Sequence, residues 1–143
     1  DGSRLYWELM VPGIADSVRQ SHDEEAGFGA FIGYASCDPE RSQEVVDRVR
    51  KVLRTAMDEG FKEDELERTK RKAASALVLH DETPRGRLFH VGFDWQYRSE
   101  HKPLDTVIDQ YLAITLEDVR RFLDRRPFDN LTVVGLGPIA SLS

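Results

Sequence analysis

The chain has 143 residues, 40% hydrophobic and 32% charged, with a formal net charge of −6. That balance fits one soluble globular domain able to bury roughly 70% of its unfolded surface. Basic residues are interleaved with acids, as where Lys62–Glu67 runs into Arg68–Lys72, so no one-signed basic face for nucleic acid is expected, and no apolar run is long enough to cross a bilayer.

The first residues, GSRLYWELMVPGIADSV, open with an amphipathic helix pattern that Pro12-Gly13 stops. A domain that starts inside a helix is expected to be part of something larger. Residues 17–24 read as a weak or edge strand. Residues 28–37, FGAFIGYASC, alternate more clearly, with Phe28, Ala30, Ile32 and Tyr34 on one face and Gly29, Phe31, Gly33 and Ala35 on the other. Glu24-Glu25-Ala26-Gly27 joins the two as an antiparallel hairpin. The glycines leave room for something bulky across their face. Cys37, the single cysteine, reads as a small buried filler.

Asp38-Pro39-Glu40 starts a helix, with Asp38 as cap and Pro39 in its first turn. Val45, Val46, Val49, Val52, Leu53, Ala56 and Met57 recur at helical spacing, and Gly60 ends it in the left-handed conformation. A second helix spans about 63–80 on Leu66, Ala73, Ala76, Leu77 and Leu79. Thr83-Pro84 breaks it and caps a third, whose Trp95 is expected in the core. Lys102-Pro103 interrupts again before a short helix on Leu104, Val107, Ile108, Tyr111 and Leu112. Thr115-Leu116-Glu117-Asp118 is a capping box for a last helix on Val119, Phe122 and Leu123. Asn130–Gly137 reads as a strand apolar on both faces, which normally lies in the middle of a covered sheet. The sum is an α+β fold, a small mixed or antiparallel sheet with helices packed on it. Residues 1–143 form a single partial domain, because three strands are few for so many helices.

The reactive residues form no familiar constellation. His22, His80, His90 and His101 show no His-Glu-x-x-His spacing or its inverse. No nucleophile elbow is present, and Gly135-Leu136-Gly137 has no helix after it to hold a phosphate. No catalytic residue, metal ligand or cofactor is expected within this chain.

Several segments taken in order resemble the M16 metallopeptidases, the relatives of pitrilysin, insulin-degrading enzyme and mitochondrial processing peptidase. Ser3-Arg4-Leu5-Tyr6-Trp7-Glu8-Leu9 is similar to that family's SRLxxEL helix, and Gly13–Val18 to its Gly-Leu-Ala-Tyr-Ser-Val. Phe31–Tyr34 through Glu40, Glu63–Lys70, Ile114–Val119 and Leu131–Gly135 resemble later family segments. The resemblance implies helices on one face of the sheet and the second half of an M16-like metallohydrolase domain. The zinc motif of such a domain lies in its first half, so zinc would belong to the full-length protein, with its ligands outside this chain. The implied partners are the missing N-terminal half, a second M16-like domain and a peptide substrate, with no nucleic acid or membrane. A truncated sheet would also self-associate through its edge.

Two family positions depart from the pattern. A substrate-holding Arg would fall near Met10, and the family Tyr is Asp16. The expected role is therefore a non-catalytic segment that supplies scaffold and chamber wall for peptide hydrolysis, with Asp16, Gly29 and Gly33 as wall residues. The alternative is a catalytically inactive M16-like scaffold or peptide-binding subunit. An unrelated α+β interaction domain is a third reading. Cytoplasm and periplasm are both compatible.

Overall fold

The computed structural model describes residues 3–25, 27–139 and 141–142. Gly2 and Ala26, which the sequence placed in the first helix and the hairpin turn, lie outside them. The chain divides into two compact units, Asp1–Glu59 with Arg126–Ser143, and Gly60–Arg125.

The first unit opens with a π-helical turn, Tyr6–Met10, where the sequence pattern read as ordinary helix. The Val11 N–H reaches back five residues to the Tyr6 carbonyl. The wider turn lets one carbonyl, that of Leu9, accept both the Ile14 and the Ala15 N–H. Gly13 takes φ +67°, a conformation open to glycine and strained for most residues. Strands β1 (Ser17–Glu25) and β2 (Phe28–Ser36) then pair antiparallel. Their register runs from Ser17 opposite Ser36 to Glu25 opposite Phe28. This is the expected antiparallel hairpin.

Pro39–Arg41 forms a tight 3₁₀ turn that leads into α1, Ser42–Glu59. Asp38 makes no side-chain cap. The expected apolar stripe is real: Val45, Leu53, Ala56 and Met57 are buried, and Gly60 turns at φ +73°. The core of this unit joins Leu9, Ile14, Ala15 and Val45. Leu5, Val18, Ala35, Cys37 and Val49 pack against it, so Cys37 is the small filler its sequence context suggested.

After the helices of the second unit the chain returns at Arg126. Its guanidinium bonds Asp58 near the end of α1 and Asp129, and these carboxylates raise its pKa. Phe128 meets Phe31 edge-on, with ring centroids 5.1 Å apart. The predicted strand at 130–137 pairs with no strand among the described residues. Val134 is 87% exposed and Leu136 fully exposed. A strand apolar on both faces needs neighbours on both sides, and the described residues provide none.

The second unit holds α2 (Glu63–Asp81), α3 (Pro84–Arg98), α4 (Leu104–Leu112) and α5 (Leu116–Leu123). Helices α3 and α4 both pack on α2. Thr83 caps α3 by accepting the Gly86 N–H at 2.9 Å. The Thr115–Asp118 capping box forms as read. Its hydrogen bonds, the Thr115 hydroxyl first and its N–H second, hold the Asp118 pKa below the usual carboxylate value. Trp95, expected in the core, is 59% exposed. Helix α3 also leaves Leu88, Phe89, Phe93 and Tyr97 exposed. It is apolar most of the way round, and only part of that circumference can face α2.

Gly86 and Gly92 occupy the same helix in opposite situations. A Cβ on Gly86 would collide with the His80 carbonyl across the α2–α3 turn, whereas one on Gly92 would meet nothing within 4 Å. Gly86→Ala should therefore open the turn and lower the unfolding midpoint. Gly92→Ala should raise stability by about 0.5–1 kcal/mol through helix propensity. Urea unfolding of the two variants checks both signs.

Candidate functional site

The three wall positions named from sequence lie along one line. In the antiparallel register Gly33 faces Gln20 and Gly29 faces Glu24. The Asp16 N–H donates to the Ser36 carbonyl at 2.8 Å, one step before the ladder proper. At about 3.3 Å per residue, Asp16 stands ~13 Å from Gly33 and ~26 Å from Gly29 along the strand. No single reacting atom could touch all three. Alternation gives their face also to Val18 and Ala35, which meet the core, and to Phe31, which meets Phe128. Above Gly29 the room is taken by His22, whose Nε2 would lie 3.0 Å from a Cβ there. Gly33 keeps open space, with nothing within 4 Å of that position.

A second constellation lies in the other unit, and sequence reading did not assemble it. Asp94 is buried, 4% exposed, on α3. One turn earlier on the same helix, the His90 Nε2 lies 3.6 Å from Asp94 Oδ2. The α3–α4 loop brings the His101 Nδ1 to 3.2 Å from the same oxygen and donates the Lys102 N–H to it at 3.0 Å. Arg98 holds the other oxygen, Oδ1, at 2.7 Å. Behind His90, Asp81 Oδ1 lies 3.0 Å from Nδ1. An ionised carboxylate can only accept, so that ring nitrogen carries its proton.

The Lys102 N–H is the largest influence on the Asp94 carboxyl and holds its pKa below the ordinary value. Burial opposes this, and His101, His90 and Arg98 reinforce it. The folded state thus favours the carboxylate. Its stabilising effect is full above the unfolded pKa and is lost as pH falls through the lower folded one. One ligand atom each from His90, Asp94 and His101 lies within 4.8 Å of the other two. The four-residue spacing of His90 and Asp94 was available in sequence as a shared helix face. His101 was not, because only the turn after α3 returns it to that face.

Comparison with known proteins gives these features a context. The profile of the family described as Peptidase M16 inactive domain matches residues 1–73. The chain belongs to the M16 peptidase family. An uncharacterized zinc protease of Mycobacterium bovis is 31% identical over 129 residues, which cover 87% of this M16 chain and 30% of the relative. The uncharacterized zinc protease YmxG of Bacillus subtilis is 26% identical, covering 82% and 29%. The chain thus spans about 30% of the length of the curated relatives it matches. Among solved structures, a chain of Complex III2 from Candida albicans, with Inz-5 bound, superposes with a TM-score of 0.78. It is 15% identical and is matched over 87% of this chain and 30% of its own length. The shared fold extends over most of the M16 chain.

Asp94 fastens the α3–α4 loop by side-chain bonds to the Lys102 N–H and the His101 ring, and bonds Arg98 within α3. Hydrogen bonds of this kind contribute about 1.5–3 kcal/mol each. Asp94→Ala should therefore destabilise the protein by about 2 kcal/mol or more, and amide exchange at Lys102 should rise sharply. Chemical denaturation and hydrogen exchange measure the two effects.

Proposed function

We propose that the chain is one partial domain, the second half of an M16-type domain, supplying scaffold and part of the wall of a peptide-holding chamber. The observation that carries this reading is the uncovered apolar surface of the first unit. Leu131, Val133, Val134 and Leu136 stand exposed in a segment patterned as an interior strand, and Phe28, Ile32 and Tyr34 stand exposed on β2. Such a row requires cover by further strands or a bound chain. The remaining part of the domain and a second M16-like domain are the partners that would provide it. Where they are missing, two copies of this chain would pair through an open edge of the two-stranded sheet.

Relatives named zinc proteases support zinc chemistry in the whole protein. A bound zinc would activate water for peptide hydrolysis. Its ligands would come from other segments, because no His-Glu-x-x-His spacing or its inverse occurs in the 143 residues. This chain's own contribution would be to hold peptide backbone along β2, whose long axis and open position at Gly33 suit an extended substrate.

A second reading has its own observation. Asp16 is exposed at the place of the family Tyr, and a carboxylate there can only accept hydrogen bonds. It would repel peptide carbonyls and bind only N–H groups. This favours a catalytically inactive peptide-binding subunit.

Gly33→Trp in the whole protein decides whether the strand is wall. The KM for peptide hydrolysis should rise about tenfold, equivalent to 1.4 kcal/mol of lost binding, with kcat, zinc content and circular dichroism unchanged. An unchanged KM removes the wall role. A zinc-loaded protein that binds peptide but never cleaves it establishes the second reading.

A further inference from the structure

We propose that His90, Asp94 and His101 form a binding site for a divalent transition-metal ion of the zinc class. The inference concerns the second unit and does not depend on the peptidase reading. The donor set is two imidazoles and one carboxylate, the mixture that suits borderline ions such as Zn²⁺. Asp94 Oδ2 lies 3.6 Å from His90 Nε2 and 3.2 Å from His101 Nδ1. Atoms so spaced, each about 2.05 Å from a common ion, subtend angles of about 120° and about 100°, which bracket the tetrahedral value.

The surroundings are also those of a ligand set. His90 Nδ1 donates to Asp81 at 3.0 Å. This places a proton on Nδ1, so that Nε2 is the nitrogen whose lone pair would serve a metal once any proton there is displaced. A carboxylate behind a histidine in this manner orients the ring and raises its basicity toward a metal. Arg98 holds Oδ1 at 2.7 Å, and Oδ2, which keeps the Lys102 N–H at 3.0 Å, has a second lone pair to offer a metal, so the carboxylate would bind through that one atom. Arg87 lies 3.8 Å from the other oxygen of Asp81. The two acids and two arginines balance, and the ion would bring the site's positive charge.

Without an ion His101 donates from Nδ1 to Asp94 Oδ2 at 3.2 Å, while His90 Nε2, at 3.6 Å, stands outside hydrogen-bond reach of that oxygen. Binding requires His101 to carry its proton on Nε2 instead. It also draws the widest ligand pair, which lies within 4.8 Å, to about 4.2 Å or less, the most that two bonds of about 2.1 Å span. His101 sits on the loop and is exposed, so it is the group with freedom to close. Its exposure leaves a fourth position open to water.

The test compares wild type with His101→Ala and His90→Ala, each equilibrated with micromolar zinc, dialysed and analysed for metal. Each variant should carry one equivalent fewer than wild type, whatever other metal the protein holds. His22→Ala and His80→Ala should carry the same as wild type. Asp81→Asn should retain the stoichiometry but bind about tenfold or more weakly. Adding one equivalent of zinc to wild type should shift the ring ¹⁵N resonances of His90 and His101 and leave that of His22 in place. Equal metal content in wild type and a folded His101→Ala overturns the proposal. So do unshifted His90 and His101 resonances, which decide the matter even where a variant fails to fold.

Discussion

The first unit is assembled around one side chain, Leu9, which has no exposed surface. It touches the opening turn, the start of α1 and the near end of the hairpin through a single cluster. The backbone conspires in the same place, since the Leu9 carbonyl receives two N–H groups and so folds residues 11–15 back over the side chain. The π-helical geometry of Tyr6–Met10 follows from that constraint. An ordinary helical turn would point Leu9 elsewhere and leave Ile14 and Ala15 without their shared acceptor. Glu8 on the same turn bonds Arg48 of α1 at 2.9 Å, a part-exposed pair that adds orientation more than stability.

In the second unit the large buried side chain is Leu123 of α5, 2% exposed, while the anchoring of α3 is of another kind. Gly86 and Asp94 are the buried residues of α3, and both act at turns. Gly86 lets α3 start against the end of α2, and Asp94 ties down the loop after α3. Polar anchoring of that kind fixes loop geometry with little apolar burial. It is consistent with the aromatic residues of α3 pointing outward, and it gathers titratable side chains at one spot.

Local signals in the sequence were read well where they act over three or four residues. The Thr83 and Thr115 caps, the valine stripe of α1 and the turn at Gly60 are backbone demands written directly into residue types. The hairpin was equally legible because its alternation and turn lie side by side. Three features were not. The strand at 130–137 had the right composition, but pairing needs a neighbour the described residues do not include. Trp95 has the size of a core residue, yet burial depends on what lies opposite, which a helical pattern does not reveal. His101 joins His90 and Asp94 only because of the path of a five-residue loop. M16 membership was legible because it rests on the order of many short segments, each weak on its own.

The outward placement of tryptophan has an optical consequence. Trp7 belongs to the first unit and Trp95 to the second, and both are more than half exposed. Their emission is therefore that of indole in contact with water. A partner that covers either indole will shift the fluorescence toward the blue, and replacing one indole by phenylalanine tells which was covered. The protein reports its own docking without an attached dye.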